Sequence, residues 1–238
     1  MRRFFSDRLL SVGEPYKLSK ELSRHVRTVL RLKTGDRIAL SDPAGREYAC
    51  LIESIDSSVT VRVIQETVKK ANSKPEIILC QAIPKASKMD WVVEKAAELG
   101  ADRIIPFRSK RTIPKITAPA SKIPRWQRIA REASRQSQRA SVPEIGGIES
   151  LDNIIAMDYG NALKIVLIPG SQKRIRDLLE GRSFDSATII VGPEGGFEDS
   201  EEKKIIESGF TPVRISRNVL RTETAGIIAV GILRYEFG

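Results

Sequence analysis

The chain has 238 residues, of which 41% are hydrophobic and 29% are charged, and its formal net charge is +10. These proportions are typical of a folded globular protein and argue against a disordered or fibrous chain. No apolar run approaches the ~20 residues that a membrane-spanning helix needs. The basic start, residues 1–8, is not followed by the apolar stretch of a signal peptide. We therefore expect a cytosolic protein that has no membrane partner.

The positive charge is concentrated in the first part of the chain. Residues 1–74 carry 15 basic and 9 acidic side chains, residues 75–145 carry 14 and 7, and residues 146–238 carry 11 and 14. Such an excess favours a polyanionic partner, with a generally basic soluble protein as the alternative. The cysteines, Cys50 and Cys80, lie alone in apolar stretches, which predicts buried free thiols in a reducing compartment and no metal site.

Residues 1–72 are predicted to form a small, β-rich domain. Tyr48–Ile55 and Val59–Ile64 are rich in β-branched residues and are separated by a turn, which predicts two strands. One helix is expected at Ser19–Leu30, with Ser19 as its N-cap. The polar stretch Val68–Pro75 has no periodicity and is predicted to be a linker.

Residues 73–238 alternate between predicted strands and predicted helices. The strands are Ile77–Ile83, Ile104–Phe107, Lys164–Pro169, Ala187–Val191 and Pro212–Ile215. The helices are Ser87–Leu99, Pro124–Ala140, Gln172–Leu179, Asp199–Ser208 and Thr222–Tyr235. This alternation indicates an α/β fold with a mostly parallel sheet and helices on both faces. Ligands of such sheets bind beyond the carboxyl ends of the strands.

A glycine-rich segment, Gly192-Pro-Glu-Gly-Gly-Phe197, follows an apolar strand and precedes a helix. Gly192, Gly195 and Gly196 allow positive φ and close backbone approach, while Pro193 stiffens the turn. A loop of this kind can wrap a flat ligand and offer it backbone N–H and C=O groups. It lacks both the Gly-Lys-Ser/Thr ending of a phosphate loop and the three-glycine spacing of a dinucleotide loop. A tight strand-to-helix turn is the alternative interpretation.

A second segment, Leu220-Arg-Thr-Glu-Thr-Ala225, opens the last predicted helix. Thr222 is a natural N-cap, and Glu223 suits the positive end of the helix dipole. Arg221 has no such explanation, because a cation is disfavoured at a helix N-terminus. Its position favours contact with an anionic ligand.

At this separation the two segments resemble the ribosomal RNA small subunit methyltransferase E family. The resemblance extends to the Arg-Arg-Phe-Phe start, to His25–Arg31, to Glu94–Gly100 with Pro106, and to residues 126–143. Members of this family are SPOUT-class enzymes that methylate N3 of a uridine in 16S ribosomal RNA with S-adenosylmethionine (SAM). The resemblance implies a PUA-like RNA-binding β-barrel at residues 1–72 and a SPOUT α/β domain with a C-terminal trefoil knot at residues 73–238. It also implies SAM as cofactor, small-subunit ribosomal RNA as partner, and a homodimer in which the second subunit helps to form the RNA surface.

The resemblance also implies three cofactor loops. Their SAM-binding residues would be Leu167, Ile168, Pro169, Gly170, Gly192, Pro193, Glu194, Gly195, Gly196, Ile215, Ser216, Leu220, Thr222 and Ala225. The chain departs from the family pattern at Ser216, which replaces a glycine, at Asn218, which replaces an arginine, and at Arg135, where an acid is usual. Arg217 offers a cation next to Asn218.

The expected chemistry suggests catalytic roles in the last of these loops. N3 of uridine holds a proton and is a poor nucleophile until that proton leaves. A cation near a uracil carbonyl oxygen would stabilise the developing anion, and a base would accept the proton. We nominate Arg221 for the first role and Glu223 for the second, with helix capping as the alternative role of Glu223. The single histidine, His25, is predicted to lie on the surface or to contact RNA.

Two basic patches are predicted to bind RNA. Residues 1–33 hold nine basic and three acidic side chains, and residues 108–139 hold ten and one. Arginines 128, 131, 135 and 139 form a stripe on the predicted helix, opposite an apolar face. The predicted RNA contacts are Arg2, Arg3, Arg8, Arg27, Arg31, Arg128, Arg135 and Arg139. A solvated helix face is the alternative, but crowding of like charges favours a polyanion.

Three other functions stay open at this point. A non-catalytic RNA-binding or ribosome-assembly factor is favoured only by the departures at Ser216 and Asn218. A SPOUT methyltransferase that acts on another RNA or another atom fits the same motifs. A nucleotide hydrolase would need a phosphate-binding lysine and a carboxylate motif for a metal, and the sequence lacks both.

Overall fold

The computed structural model describes residues 2–43, 46–67, 75–112, 119–139, 141–179 and 184–237. The chain divides into two units, Met1–Asn72 with Arg135–Val142, and Ser73–Ser134 with Pro143–Gly238. The predicted linker lies outside the described residues except for Pro75. No helix of the described residues is long and apolar enough to cross a membrane.

The first unit is built on a five-stranded sheet. Its strands are β1 (Arg2–Phe5), β2 (Pro15–Lys17), β3 (Arg37–Ser41), β4 (Glu47–Ile55) and β5 (Val59–Thr67), in the spatial order β1-β3-β4-β5-β2. β1 runs parallel to β3, and the other neighbouring strands are antiparallel. The predicted strands β4 and β5 are confirmed. Their alternate residues, such as Cys50, Ile52, Val61 and Val63, are fully buried and form the core of this unit.

The helical segment of the first unit is not a uniform α-helix. Helix α1 (Lys20–Arg24) begins after Ser19, whose hydroxyl accepts a hydrogen bond from the N–H of Leu22 at 3.2 Å, as predicted for an N-cap. The chain then widens into a π-helix at His25–Val29. His25 is half-buried there, and its ring lies edge-on to Phe4 with 6.4 Å between the ring centroids.

The second unit is built on a parallel sheet, as predicted. Its strands are β6 (Glu76–Ala82), β7 (Arg103–Arg108), β8 (Glu144–Ile145), β9 (Glu149–Ser150), β10 (Ala162–Leu167), β11 (Ser186–Val191) and β12 (Thr211–Val213). The spatial order is β12-β10-β11-β6-β7-β8, and β9 also pairs with β7. Each of these pairings is parallel. The central strand β11 is buried along its whole length, which explains its continuous apolar sequence.

Helices cover both faces of this sheet, which confirms the predicted layers. They are α2 (Lys88–Leu99), α3 (Pro119–Gln136), α4 (Leu151–Ala156), α5 (Ile175–Leu179), α6 (Asp199–Glu207) and α7 (Thr222–Phe237). Ile78 and Cys80 of β6 belong to a buried cluster that includes Ile154 of α4 and Ile205 of α6. The intervening residue of β6, Leu79, lies on the other face, next to α7, which also packs against α2.

The bounds predicted for helix α3 are wrong at both ends. The helix contains Pro124, which was predicted as its first residue, and it ends at Gln136 instead of Ala140. Gln138 has a φ of 54°, a left-handed conformation that cannot continue a right-handed helix. Arg139 therefore lies beyond the helix and cannot belong to the predicted stripe. The predicted apolar face is present, with Trp126 buried and its indole N–H donating to Asp90 Oδ1 at 3.0 Å.

Both cysteines are free and fully buried, as predicted. Burial raises the pKa of the thiols of Cys50 and Cys80 to about 12. Because the thiolate is the reactive form, we expect neither residue to react measurably with a disulfide reagent at pH 8 in the native protein. Addition of guanidinium should release two thiols. Rapid modification of the native protein, followed by absorbance, would contradict the described burial.

Candidate active site

A cleft with a volume of about 320 Å³ lies at the carboxyl ends of three adjacent strands of the second unit. β12, β10 and β11 end at Val213, Leu167 and Val191, and the loops that follow them form the walls. A parallel sheet brings these ends to one edge, where the sequence predicted ligand binding. Most of the lining is apolar, which is typical of a site for a small organic ligand.

The three predicted cofactor loops all line this cleft. The predicted residues in its walls are Leu167, Ile168, Pro169, Gly192, Pro193, Glu194, Gly196, Ile215, Ser216, Leu220, Thr222 and Ala225. Gly170 and Gly195 belong to the same loops but are not in the lining. Asn218, Val219 and Arg221 lie inside the third predicted loop, Ile215–Ala225, and Arg221 was predicted as catalytic. The lining residues outside the predicted loops are Val191, Phe197, Glu202, Val213 and Arg214. Several of these directly adjoin the predicted loops, whereas nothing in the sequence marks Glu202.

The glycine-rich loop forms a turn in which Gly196 and Gly192 are required for different reasons. The N–H of Gly196 donates to the carbonyl of Pro193 at 2.9 Å, and Gly196 has a φ of 69°, which favours glycine. At Gly192 a Cβ atom would lie 2.9 Å from the ring of Phe197, so a side chain there would collide with the ring. Gly195 has neither constraint, and its carbonyl accepts a hydrogen bond from the guanidinium of Arg111 at 3.0 Å.

Thr222 does not act as the predicted N-cap. It is the first residue of α7, and the N–H of Ala225 bonds to the carbonyl of Arg221 at 2.8 Å, which places Arg221 at the cap position. The hydroxyl of buried Thr222 instead donates to the carbonyl of Gly192 and accepts from Gln81 Nε2. Local sequence predicted a cap because it contains no information about these distant partners. The bonds tie α7 to the glycine-rich loop and to β6.

Arg221 is exposed in the wall of the cleft, and no carboxylate of the described residues pairs with it. Its guanidinium is therefore available to a ligand or a substrate. Glu223, predicted as the proton acceptor, is buried and does not line the cleft. One of its carboxylate oxygens lies 3.0 Å from Lys88 Nζ, and the other has no hydrogen-bond partner among the described residues.

Ser216 and Asn218, two of the three residues that depart from the expected family pattern, form an ordered turn. Ser216 does not have a positive φ, so the backbone does not need a glycine at this position. Its hydroxyl oxygen accepts a hydrogen bond from the N–H of Asn218 at 3.1 Å. Both residues line the cleft. The substitution of serine for glycine is therefore compatible with the loop.

The arginines predicted to contact RNA differ in the exposure and pairing of their guanidinium groups. Arg2, Arg27, Arg31 and Arg128 are exposed. Arg8 pairs with Glu14 at 3.2 Å, and Arg135 and Arg139 are half-buried. Arg3 is engaged within the first unit, where it bonds to the carbonyl of Gln138 at 2.6 Å and pairs with Glu47 at 2.9 Å. Within the described residues no group of three or more His, Cys, Asp and Glu side chains is arranged to hold a metal ion.

Comparison with known proteins identifies the family. The model of an RNA methyltransferase domain matches residues 71–234, and that of an RNA methyltransferase PUA domain matches residues 18–64. The ribosomal RNA small subunit methyltransferase E of Buchnera aphidicola from Schizaphis graminum is 30% identical over 99% of this chain and 96% of its own length. The chain belongs to the ribosomal RNA small subunit methyltransferase E family. The enzyme of the same name from Bacillus subtilis is 27% identical over 99% of the chain and 97% of its own length.

Solved structures of two bacterial methyltransferases have the same fold. The methyltransferase E of Neisseria gonorrhoeae, bound to SAM, has a TM-score of 0.87 and 29% identity over 100% of this chain and 98% of its own. A methyltransferase of Legionella pneumophila, in complex with bound SAM, has a TM-score of 0.83 and 32% identity over 98% of this chain and 97% of its own. The predicted family is confirmed, as is an α/β fold with an N-terminal PUA-like domain and a methyltransferase domain.

The packing around Gly192 predicts that the chain tolerates alanine poorly at this position. Gly192→Ala places a methyl group against Phe197, and overpacking of this kind lowers the free energy of unfolding by ~1–3 kcal/mol. Gly195→Ala is the matched control: its Cβ would make only ordinary contacts with Arg111, and we expect unchanged or slightly raised stability. Urea unfolding followed by circular dichroism measures both. Equal stability of the two variants would contradict the described loop.

Proposed function

We propose that the protein transfers the methyl group of SAM to N3 of a uridine in 16S ribosomal RNA. The observation that supports this most directly is the cleft at the carboxyl ends of β10, β11 and β12, which all three predicted cofactor loops line. Relatives from Neisseria gonorrhoeae and Legionella pneumophila, whose folds superpose on nearly the whole chain, were solved with SAM bound. The family to which the chain belongs is named for action on small-subunit ribosomal RNA.

The residues of the cleft fit SAM in size and in charge. The volume of about 320 Å³ falls within the range of small-molecule sites. Apolar side chains such as Ile168 and Leu220 can face an adenosine, and the lining includes the carboxylates of Glu194 and Glu202 for the positively charged parts of the ligand. Arg214, also in the lining, is a cation for a ligand carboxylate. SAM supplies an activated methyl group, which leaves the protein to align the acceptor and to adjust its charge.

Arg221 is assigned to the uracil carbonyl oxygen next to N3. Loss of the N3 proton places negative charge on that oxygen, and a guanidinium held in position stabilises it without reorganisation. Arg221 suits this role because it lines the cleft, is exposed and has no ion pair within the described residues. Glu223 as the proton acceptor stays a prediction. Its burial and its contact with Lys88 favour a role in holding the site.

We also propose a homodimer in which the partner subunit contributes to the RNA surface. Ile228 and Tyr235 are seven residues apart and share a face of α7, where they are 37% and 86% exposed. Leu99 is 39% exposed and lies next to Gly231, between these two positions along α7. An exposed apolar strip of this kind is typical of a protein–protein interface.

The remaining structural proposals follow from the family. We propose a PUA-like β-barrel for RNA binding at residues 1–72 and a SPOUT domain with a C-terminal trefoil knot at residues 73–238. The crossovers implied by the strand order β12-β10-β11-β6 are compatible with a knot near the cleft. Since the proposed substrate is ribosomal RNA, we place the protein in the cytoplasm.

Titration with SAM and a methyl-transfer assay on 16S ribosomal RNA test the function and the role of Arg221 together. We expect micromolar binding of SAM and transfer to one uridine, mapped by mass spectrometry. Arg221→Ala should keep the Kd for SAM and lower kcat by about 10²–10³-fold, the loss seen when a donor to a developing anion is removed. Arg217→Ala is the comparison within the same loop: Arg217 does not line the cleft, so removal of this cation should change neither the Kd for SAM nor kcat.

Each outcome of these assays has a distinct meaning. Normal turnover by Arg221→Ala would remove Arg221 from the mechanism. A folded wild-type protein that binds no SAM would point to the non-catalytic RNA-binding factor. Methylation at another atom or in another RNA would support the wider SPOUT alternative.

The exposed arginines of α3 predict a salt-dependent RNA affinity. Arg128 and Arg131 are exposed and have no ion pair within the described residues. We expect Arg128→Gln with Arg131→Gln to weaken binding to 16S ribosomal RNA and to reduce the slope of log K against log[salt] by about 1 per arginine. Lys203→Gln, which removes an exposed charge from the acidic part of the chain, should change neither quantity. Unchanged affinity of the double variant in filter-binding titrations would exclude this helix from the RNA surface.

A further inference from the structure

We infer that Lys88 is a positioning residue of the methyl-transfer site, where its ammonium group joins two of the loops that form the cleft. Lys88 is the first residue of α2 and lies outside the cleft lining. Its Nζ is 3.0 Å from Glu223 Oε1, in the first turn of α7, and 3.9 Å from Glu194 Oε1, in the glycine-rich loop. One cation therefore faces a carboxylate from each loop. The inference rests on the proposed function of the cleft.

The burial of Glu223 makes this contact necessary. The side chain of Glu223 is only 6% exposed, whereas that of Lys88 is 36% exposed. A carboxylate removed from water is strongly unfavourable unless a cation or several hydrogen-bond donors compensate it. Oε2 of Glu223 has no hydrogen-bond partner among the described residues. Lys88 is thus the compensating charge that the described structure provides.

The loop that precedes Lys88 is also hydrogen-bonded to the glycine-rich loop of the cleft. The backbone N–H of Lys85 donates to Glu194 Oε1 at 2.9 Å. Between the two lysines, Ala86 has a φ of 57°, an uncommon conformation for a residue other than glycine. Such a conformation persists only where its surroundings enforce it. The β6–α2 loop therefore directs one amide and one ammonium group to the carboxylates of the cleft loops.

The consequence for the reaction concerns Arg221. Glu223 is two residues after Arg221, and Lys88 holds it at the beginning of α7. Together with the hydrogen bonds of Thr222, Lys88 therefore fixes the turn from which Arg221 enters the cleft wall. Loss of the ammonium group would leave Glu223 as an uncompensated buried charge and loosen this turn. Glu194 would keep its bond to the N–H of Lys85. We therefore expect the orientation of Arg221, and with it kcat, to suffer more than the affinity for SAM.

The inference is tested with the full-length protein by measuring SAM affinity, kcat and thermal unfolding of four single variants and one double variant. Lys88→Met should lower kcat by about 10- to 100-fold, the scale of loss for a misplaced catalytic group, and change the Kd for SAM by less than about fivefold. Glu223→Gln should lower kcat similarly. The double variant should be no worse than either single one, because both changes break the same contact. Lys88→Arg should retain most of the activity.

Lys95→Met is the matched control, because Lys95 lies on the same helix and pairs with Glu94 and Glu98 away from the cleft. The Lys95→Met variant should have the SAM affinity, kcat and thermal stability of the wild type. Turnover of Lys88→Met at the wild-type level, or additive losses in the double variant, would overturn the inference. If Lys88→Met does not fold, Lys88→Arg and Glu223→Gln decide: an inactive Lys88→Arg or a fully active Glu223→Gln would overturn the inference. Failure of the proposed function is separate, because the wild-type protein would then bind no SAM or transfer no methyl group.

Discussion

The hydroxyl group of Thr222 joins three segments on which the cleft depends. It donates to the carbonyl of Gly192 and accepts from Gln81 Nε2 at 2.9 Å, so the last helix, the glycine-rich loop and the central strand β6 meet at one buried atom. The half-buried carbonyl of Gly192 and the buried amide N–H of Gln81 both need partners, and one hydroxyl serves both. The Lys88–Glu223 contact adds a charged link between α2 and the same turn of α7. The cleft is thus shaped by long-range polar contacts as much as by its apolar walls.

The sequence was informative wherever a local pattern determined the outcome. Long apolar runs predicted β6, β10 and β11, because strands buried on both faces need such runs, and the motifs after them located the cleft. Strands β1, β2, β3, β8 and β9 and helix α4 were missed. Four of these strands are only two to four residues long and pair with partners that are distant in the chain. Thr222 was predicted to be an N-cap because its actual hydrogen-bond partners, Gly192 and Gln81, are also distant in the chain. The early end of α3 was missed because nothing local predicts the left-handed backbone at Gln138.

Burial and pairing separate arginines that look alike in the sequence. Arg3 and Arg221 were both predicted to meet an anion. The structure commits Arg3 to Glu47 and to a backbone carbonyl, and it leaves Arg221 exposed in the cleft wall. Composition predicts that a basic protein binds a polyanion. Only the contacts of each guanidinium group show which charges are free to bind a partner and which are engaged within the protein. The same comparison favours Arg128 over Arg8 as an RNA contact, because Arg8 pairs with Glu14.

The turn at Ser216 has a consequence for substitution at position 218. Its hydroxyl oxygen holds the backbone N–H of residue 218 and not the side chain, so the shape of the turn does not depend on which amino acid follows. A glycine at 216 would offer no such bond, and the loop would then need other contacts to keep its shape. Position 218 is therefore one at which the cleft wall can change its chemistry while the turn keeps its shape.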